Sequence, residues 1–62
     1  MNIKLIPIER NCLSIEHHRE NWHTIKVSKR NTITVENHLK NIQATFTTSF
    51  NRYGDVVFEV YL

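Results

Sequence analysis

The sequence lacks most of what usually staples a small fold. Cys12 is its only cysteine, so no disulfide can close within the chain, and a lone thiol suits a reducing compartment better than a secreted one. Gly54 is the only glycine, which excludes a glycine-rich phosphate loop. Pro7 is the only proline, and no Gly, Ser or Pro run marks a linker or a low-complexity segment. The apolar opening stretch is interrupted by Lys4 and closed by Pro7 and Glu9, far short of a signal h-region or a membrane span. These absences lead us to expect one small domain over residues 1–62, cytoplasmic, with no membrane segment. At 62 residues, folding hides only about 60% of the unfolded surface, so self-association is the expected additional support.

Charge excludes little. Eight Lys and Arg against six Asp and Glu give a formal net charge of +2, which permits an anionic partner without demanding one. The four histidines add positive charge only below about pH 6.5.

What is present is architecture. Ala44 to Leu62 reads as a β-hairpin that fixes its own register: if Asn51-Arg52-Tyr53-Gly54 is a type I turn ending in a left-handed glycine, Phe50 faces Val56. Thr48 then faces Phe58, Phe46 faces Val60 and Ala44 faces Leu62. The apolar members of these pairs share one face, while Thr45, Thr47, Ser49, Val57, Glu59 and Tyr61 line the other.

The same rules suggest two earlier hairpins. Arg10 to Glu16 overlays Arg30 to Glu36 at an offset of 20 residues, with Asn11 and Asn31 where Gly54 stands in the last copy, each followed by a period-2 pattern. Ordinary hairpins obeying one turn chemistry explain this as well as duplication does, and both predict the same shape. The middle hairpin would face Val27 with Ile33 and Ile25 with Val35. In the first, Ile3, Leu5, Leu13 and Ile15 share the core face, while Ile6 and Ile8 point outward, and Pro7 suits an edge strand. His17 to Trp22 reads as a loop with Trp22 folded back over the core. Val35, Leu39 and Ile42 have helical spacing that allows one short helical turn near residues 37–43. The expected fold is therefore all-β: about six antiparallel strands in three successive hairpins, a twisted sheet or small barrel.

The chemistry-bearing residues form no catalytic set. His17, His18, His23 and His38 match no zinc spacing, and solvated loop histidines are the simpler account. Cys12 lacks an activating base or helix terminus. Glu16, Glu36 and Glu59 close apolar-alternating segments, where a charge marks the solvent side. We therefore expect no enzyme, no cofactor, no metal and no small-molecule substrate. The expected function is binding: an inhibitor, adaptor or accessory subunit, of a size common in phage and mobile-element products. It would contact a protein partner or a second copy through Ile6, Ile8, Val57 and Tyr61, and form a homodimer through the strand carrying Ile6 and Ile8. The alternative is a nucleic-acid-binding domain. Its basic hairpin tips would place Arg10, Lys29, Arg30 and Arg52 on phosphates, with Tyr53 beside them for stacking.

Overall fold

Residues 2–62 are described by a computed structural model, and their order is a 3-10 helix (Ile3–Asn11), β1 (Ser14–Arg19), β2 (Trp22–Val27), a 3-10 turn (Lys29–Asn31), α1 (Thr32–Asn41), β3 (Thr45–Phe50) and β4 (Val56–Tyr61). The strands make one four-stranded sheet in the order β1-β2-β4-β3, with every neighbouring pair antiparallel. The fold is thus mixed α/β. This overturns the expectation of six strands in three hairpins, and the helix near residues 37–43 is a three-turn α-helix beginning at Thr32.

The last hairpin follows its local chemistry. Gly54 has φ +82° and donates its N–H to Asn51 O at 3.1 Å, while Asn51 donates to Asp55 O at 3.0 Å. The Asn51 side chain closes the loop by accepting from the N–H groups of Tyr53 and Asp55. Phe50 pairs with Val56, Thr48 with Phe58 and Phe46 with Val60; the Ala44–Leu62 pair lies beyond the strand ends. A glycine is required at position 54 because a side chain is strained at that φ.

The other two turns do not form. Asn31 has φ −100° and leads into α1, and the left-handed residues are Glu20 and Gln43 rather than Asn11 and Asn31. Ile25 pairs with Ile15 and Phe58, not with Val35. The alternation Ile33, Val35 resembles a strand, but burying Val35 and Leu39 on one helical face satisfies both, and Ile33 is left exposed. At its C-terminus α1 ends in a Schellman turn: Ala44 N–H reaches Leu39 O and Gln43 N–H reaches Lys40 O, with Gln43 at φ 60° in the position that glycine usually takes.

The leading segment is a 3-10 helix instead of an edge strand. Its period of three places Leu5 and Ile8 on one stripe, buried against Val35, Leu39 and the sheet, and leaves Ile3 and Ile6 on another stripe, exposed. The apolar-on-both-sides pattern is therefore two stripes of a helix. Ile6 is exposed as expected, but Ile8 is core, so the proposed docking strand does not exist.

A 3-10 helix of nine residues is long for its kind, and one contact explains how it persists through a proline. In an i→i+3 ladder the residue-7 N–H would bond Lys4 O, and Pro7 has none. His38 of α1 supplies the missing donor, with Nε2 2.6 Å from Lys4 O. A carbonyl only accepts, so this nitrogen carries the proton. The bond ties the 3-10 helix to α1 directly above the buried Leu5, Ile8, Val35 and Leu39.

His38→Ala should lower unfolding free energy by about 0.5–1.5 kcal/mol, and by less in a Pro7→Ala background, where the restored N–H can reach Lys4 O itself. A double-mutant cycle by urea unfolding measures the difference. Equal losses in the two backgrounds would mean that His38 does not stand in for the missing donor.

Candidate interaction face

Both helices pack on one face of the sheet. Along β2 and β4, burial alternates strictly: His23, Ile25, Val27, Val56, Phe58 and Val60 point into the helix-covered core, and Trp22, Thr24, Lys26, Val57, Glu59 and Tyr61 point the other way. No element among the described residues covers that second face. An antiparallel sheet sealed on one side only leaves its other side facing solvent.

The centre of the open face is organised by one carboxylate. Thr24 stands opposite Glu59 and Trp22 opposite Tyr61 in the β2–β4 register. Glu59 Oε1 accepts the Trp22 indole N–H at 2.8 Å and the Thr24 hydroxyl at 2.7 Å. Because the Thr24 proton goes to Glu59, its oxygen is left to accept from His18 Nε2, 2.6 Å away. The His18 ring lies 4.1 Å from the Trp22 ring, and Trp22 lies nearly parallel to Tyr61 at 6.4 Å and 13°. The result is a row of three rings, of which His18 and Trp22 are held by hydrogen bonds to Thr24 and Glu59.

The hydrogen bonds from Trp22, then Thr24, hold the Glu59 carboxyl below the usual carboxylate range; partial burial opposes them and the charge of His18 adds to them. In the chain His18–Thr24–Glu59 the hydroxyl gives its proton to the carboxylate and accepts from the ring, the reverse of a hydroxyl paired with an imidazole base.

At the end of the face near Glu20, an open depression of about 370 Å³ is lined by Arg19, Glu20, Asn21, Trp22 and Tyr61. The other two histidines hold the turn that forms it. His17 Nε2 donates to Glu20 O at 2.8 Å and His23 Nδ1 to Asn21 O at 3.0 Å, with the two rings stacked at 4.5 Å. Asn21 O also accepts from Leu62 N–H. Residues 17–22 are thus the facing ends of two strands and a tight turn, not a loop, and Trp22 is on the open side of the sheet, not capping the core. Among the described residues, no three His, Cys, Asp or Glu side chains converge as a metal site.

Of the residues expected to bind a partner, Val57 and Tyr61 are on the open face, while Ile6 is on the far side of the molecule, on the 3-10 helix, and Ile8 is buried. The cations sit differently from the expected row of hairpin tips, since only Arg52 and Tyr53 occupy a hairpin turn. Lys29 and Arg30 belong to the 3-10 turn and Arg10 to the end of the leading helix. Lys29 nevertheless runs alongside the β3–β4 turn, its Cε 4.0 Å from where a side chain on Gly54 would begin. Arg52 lies over the Tyr53 ring at 5.0 Å and donates to its hydroxyl at 2.9 Å. Cys12 is half-buried, and burial pushes its thiol up to about 11, which leaves it protonated and unreactive at neutral pH. Sequence reasoning missed Trp22, Thr24 and His18 as partners of Glu59, because the β2–β4 pairing that joins them spans more than thirty residues, with Trp22 and Glu59 37 apart.

Compared with protein-family models, with curated proteins and with solved structures, the chain matches none of them. The functional argument therefore rests on the face itself.

Trp22 is the only tryptophan, so its emission reports on Glu59. A depressed carboxyl favours the ionised form in the folded state. Its contribution is therefore present above the ordinary glutamate value of about 4.3 and is lost as pH falls through the lower folded value. Fluorescence should change with a midpoint below that value, and Glu59→Gln should abolish the transition. A midpoint at or above the ordinary value would contradict the proposed hydrogen-bonded carboxylate.

Proposed function

We propose that this protein acts without catalysis, by docking the open face of its sheet onto a protein partner, as an inhibitor, adaptor or accessory subunit does. The observation that carries this reading is the position of Trp22: half-buried between His18 and Tyr61, bonded to Glu59, on a sheet face that the helices leave uncovered. Trp and Tyr are enriched among the few residues that dominate the energy of protein interfaces. Side chains already fixed before contact lose little conformational freedom on binding. Half-buried Val57 extends the apolar centre, and the Thr45, Thr47 and Ser49 hydroxyls of β3 give it a polar rim. The lone Cys12, which can form no disulfide within the chain, supports a reducing, cytoplasmic setting. Among the described residues, no helix is long and apolar enough to cross a membrane.

A second reading has its own support. Lys29 beside the β3–β4 turn brings the cations of the 3-10 turn next to Arg52 and Tyr53, and none of Arg10, Lys29, Arg30 and Arg52 is in a salt bridge among the described residues. Such an end of the molecule can meet phosphates, with Tyr53 free on one face to stack.

The two readings separate cleanly. Protein retained from nuclease-treated host lysate by the wild-type chain should be lost with Tyr61→Ser and with Trp22→Ala, and should be unaffected by Arg30→Glu. A partner that survives both face substitutions would overturn the first reading. Mobility-shift binding that weakens steeply with salt and weakens further on Arg30→Glu would establish the second.

A further inference from the structure

The two edges of the sheet are guarded unequally. β1 carries Glu16, His17, His18 and Arg19 and has a register irregularity between His17 and Arg19, which are the usual devices that keep an edge from pairing. β3, on the other edge, reads Thr-Phe-Thr-Thr-Ser-Phe without a charge, a proline or a bulge.

The hydrogen-bond phase of that free edge follows from the turn. Asn51 bonds Asp55, and bonded positions alternate along an antiparallel pair, so Thr45, Thr47 and Ser49 address β4. The Leu62 to Asn21 bond gives the same phase from the opposite side of β4. The N–H and C=O groups of Phe46, Thr48 and Phe50 therefore point outward, unpaired. The side chains of these three residues all lie on the helix-covered side, and Phe50 is 67% exposed at the strand end.

We propose that this edge pairs with β3 of a second copy of the chain, antiparallel about a two-fold axis at Thr48, making one sheet of eight strands from two of four. Neighbours across an antiparallel pair share a face, so only registers joining residues of like parity keep both cores on one side. Centring on Thr48 meets that condition and uses every outward group: Thr48 faces its own copy, and Phe46 faces Phe50 in both directions. The three facing pairs make about six backbone bonds. The exposed Phe50 gains an aromatic neighbour, and a Thr–Thr pair at the axis is itself favourable. The occupant is a copy of the chain because a strand without charge offers no ionic selectivity for a foreign peptide, and because self-pairing here brings no like charges together. It also adds buried surface to a small domain, which hides a smaller share of its surface on folding than a large one does. One strand edge buries less than the roughly 1,200 Å² of a standard stable interface, so the dimer forms as a concentration-dependent equilibrium. This pairing does not depend on what the open face binds.

Sedimentation velocity of the full chain from micromolar to near-millimolar concentration tests it. The wild type should shift from monomer to dimer, and Thr48→Pro, which removes an outward N–H but no bond to β4, should remain monomeric with its circular dichroism retained. In a Cys12→Ser background, Thr48→Cys should oxidise to a covalent dimer, because bonded antiparallel pairs place Cα atoms about 5.5 Å apart, within disulfide range. Thr45→Cys should not, since its two copies would lie about 20 Å apart along the strands. A monomer at every concentration, or cross-linking as efficient at position 45 as at 48, would overturn the proposal. If Thr48→Pro fails to fold, the two cysteine variants still decide it.

Discussion

The strict alternation along β4 is the constraint on which the rest of the molecule depends. Val56, Phe58 and Val60 are buried on one side, and Val57, Glu59 and Tyr61 stand on the other, with β4 paired on both flanks. A one-residue slip against either neighbour would turn Phe58 to water and bring Glu59 into the core. Burying an unpaired carboxylate costs several kcal/mol, and removing Phe58 from the core about as much again. The turn at Gly54 fixes the register on the β3 side. On the β2 side it is fixed by Ile25 meeting Phe58 across the ladder and by the bonds that Trp22 and Thr24 give to Glu59. The core and the open face are thus two consequences of one register.

Legibility in the sequence tracks how local that information is. The β3–β4 hairpin is readable because its register is written within five residues of turn, and its solvent face could be assigned residue by residue. Its neighbour could not be identified, because β2 reaches β4 past an entire α-helix. The leading segment was misassigned for a related reason. Ile3, Leu5, Ile6 and Ile8 fit a strand with two greasy sides as well as a helix with two greasy stripes, and the choice is made by Val35, Leu39 and the His38 bond to Lys4, all of them more than twenty-five residues away. Thr32 to Val35 is rich in β-branched residues, and strand propensity there gives way to packing. The overlay of Arg10–Glu16 on Arg30–Glu36 also dissolves. The first copy runs out of a 3-10 helix into β1, and the second runs through a 3-10 turn into α1.

The histidines show the same dependence on distant partners. By spacing alone they suggest solvated loops or a failed metal site. In the structure each has a defined structural contact: His17 and His23 hold the carbonyls of the β1–β2 turn, His38 replaces the donor that Pro7 lacks, and His18 props Thr24 and Trp22. Three of the four act on backbone carbonyls, and two of them, His17 and His23, hold the tight turn at Glu20, where φ is 49°. Without a disulfide, side-chain donors to main-chain acceptors serve as the staples.

Small size then links the open face to the open edge. Two short helices seal one side of this four-stranded sheet, and its second face and its β3 edge are left uncovered among the described residues. The two differ in chemistry. The face carries Trp22, Tyr61, Val57 and a fixed carboxylate, a mixture of aromatic and polar groups. The β3 edge carries uncharged Thr, Ser and Phe, which distinguish by backbone geometry alone. A two-fold axis through that edge runs perpendicular to the sheet, so the two open faces would lie side by side on one surface and the helices together on the other. In that arrangement the proposed pairing would join the two proposed docking faces without covering either, so a partner with two matching sites would gain from both copies at once.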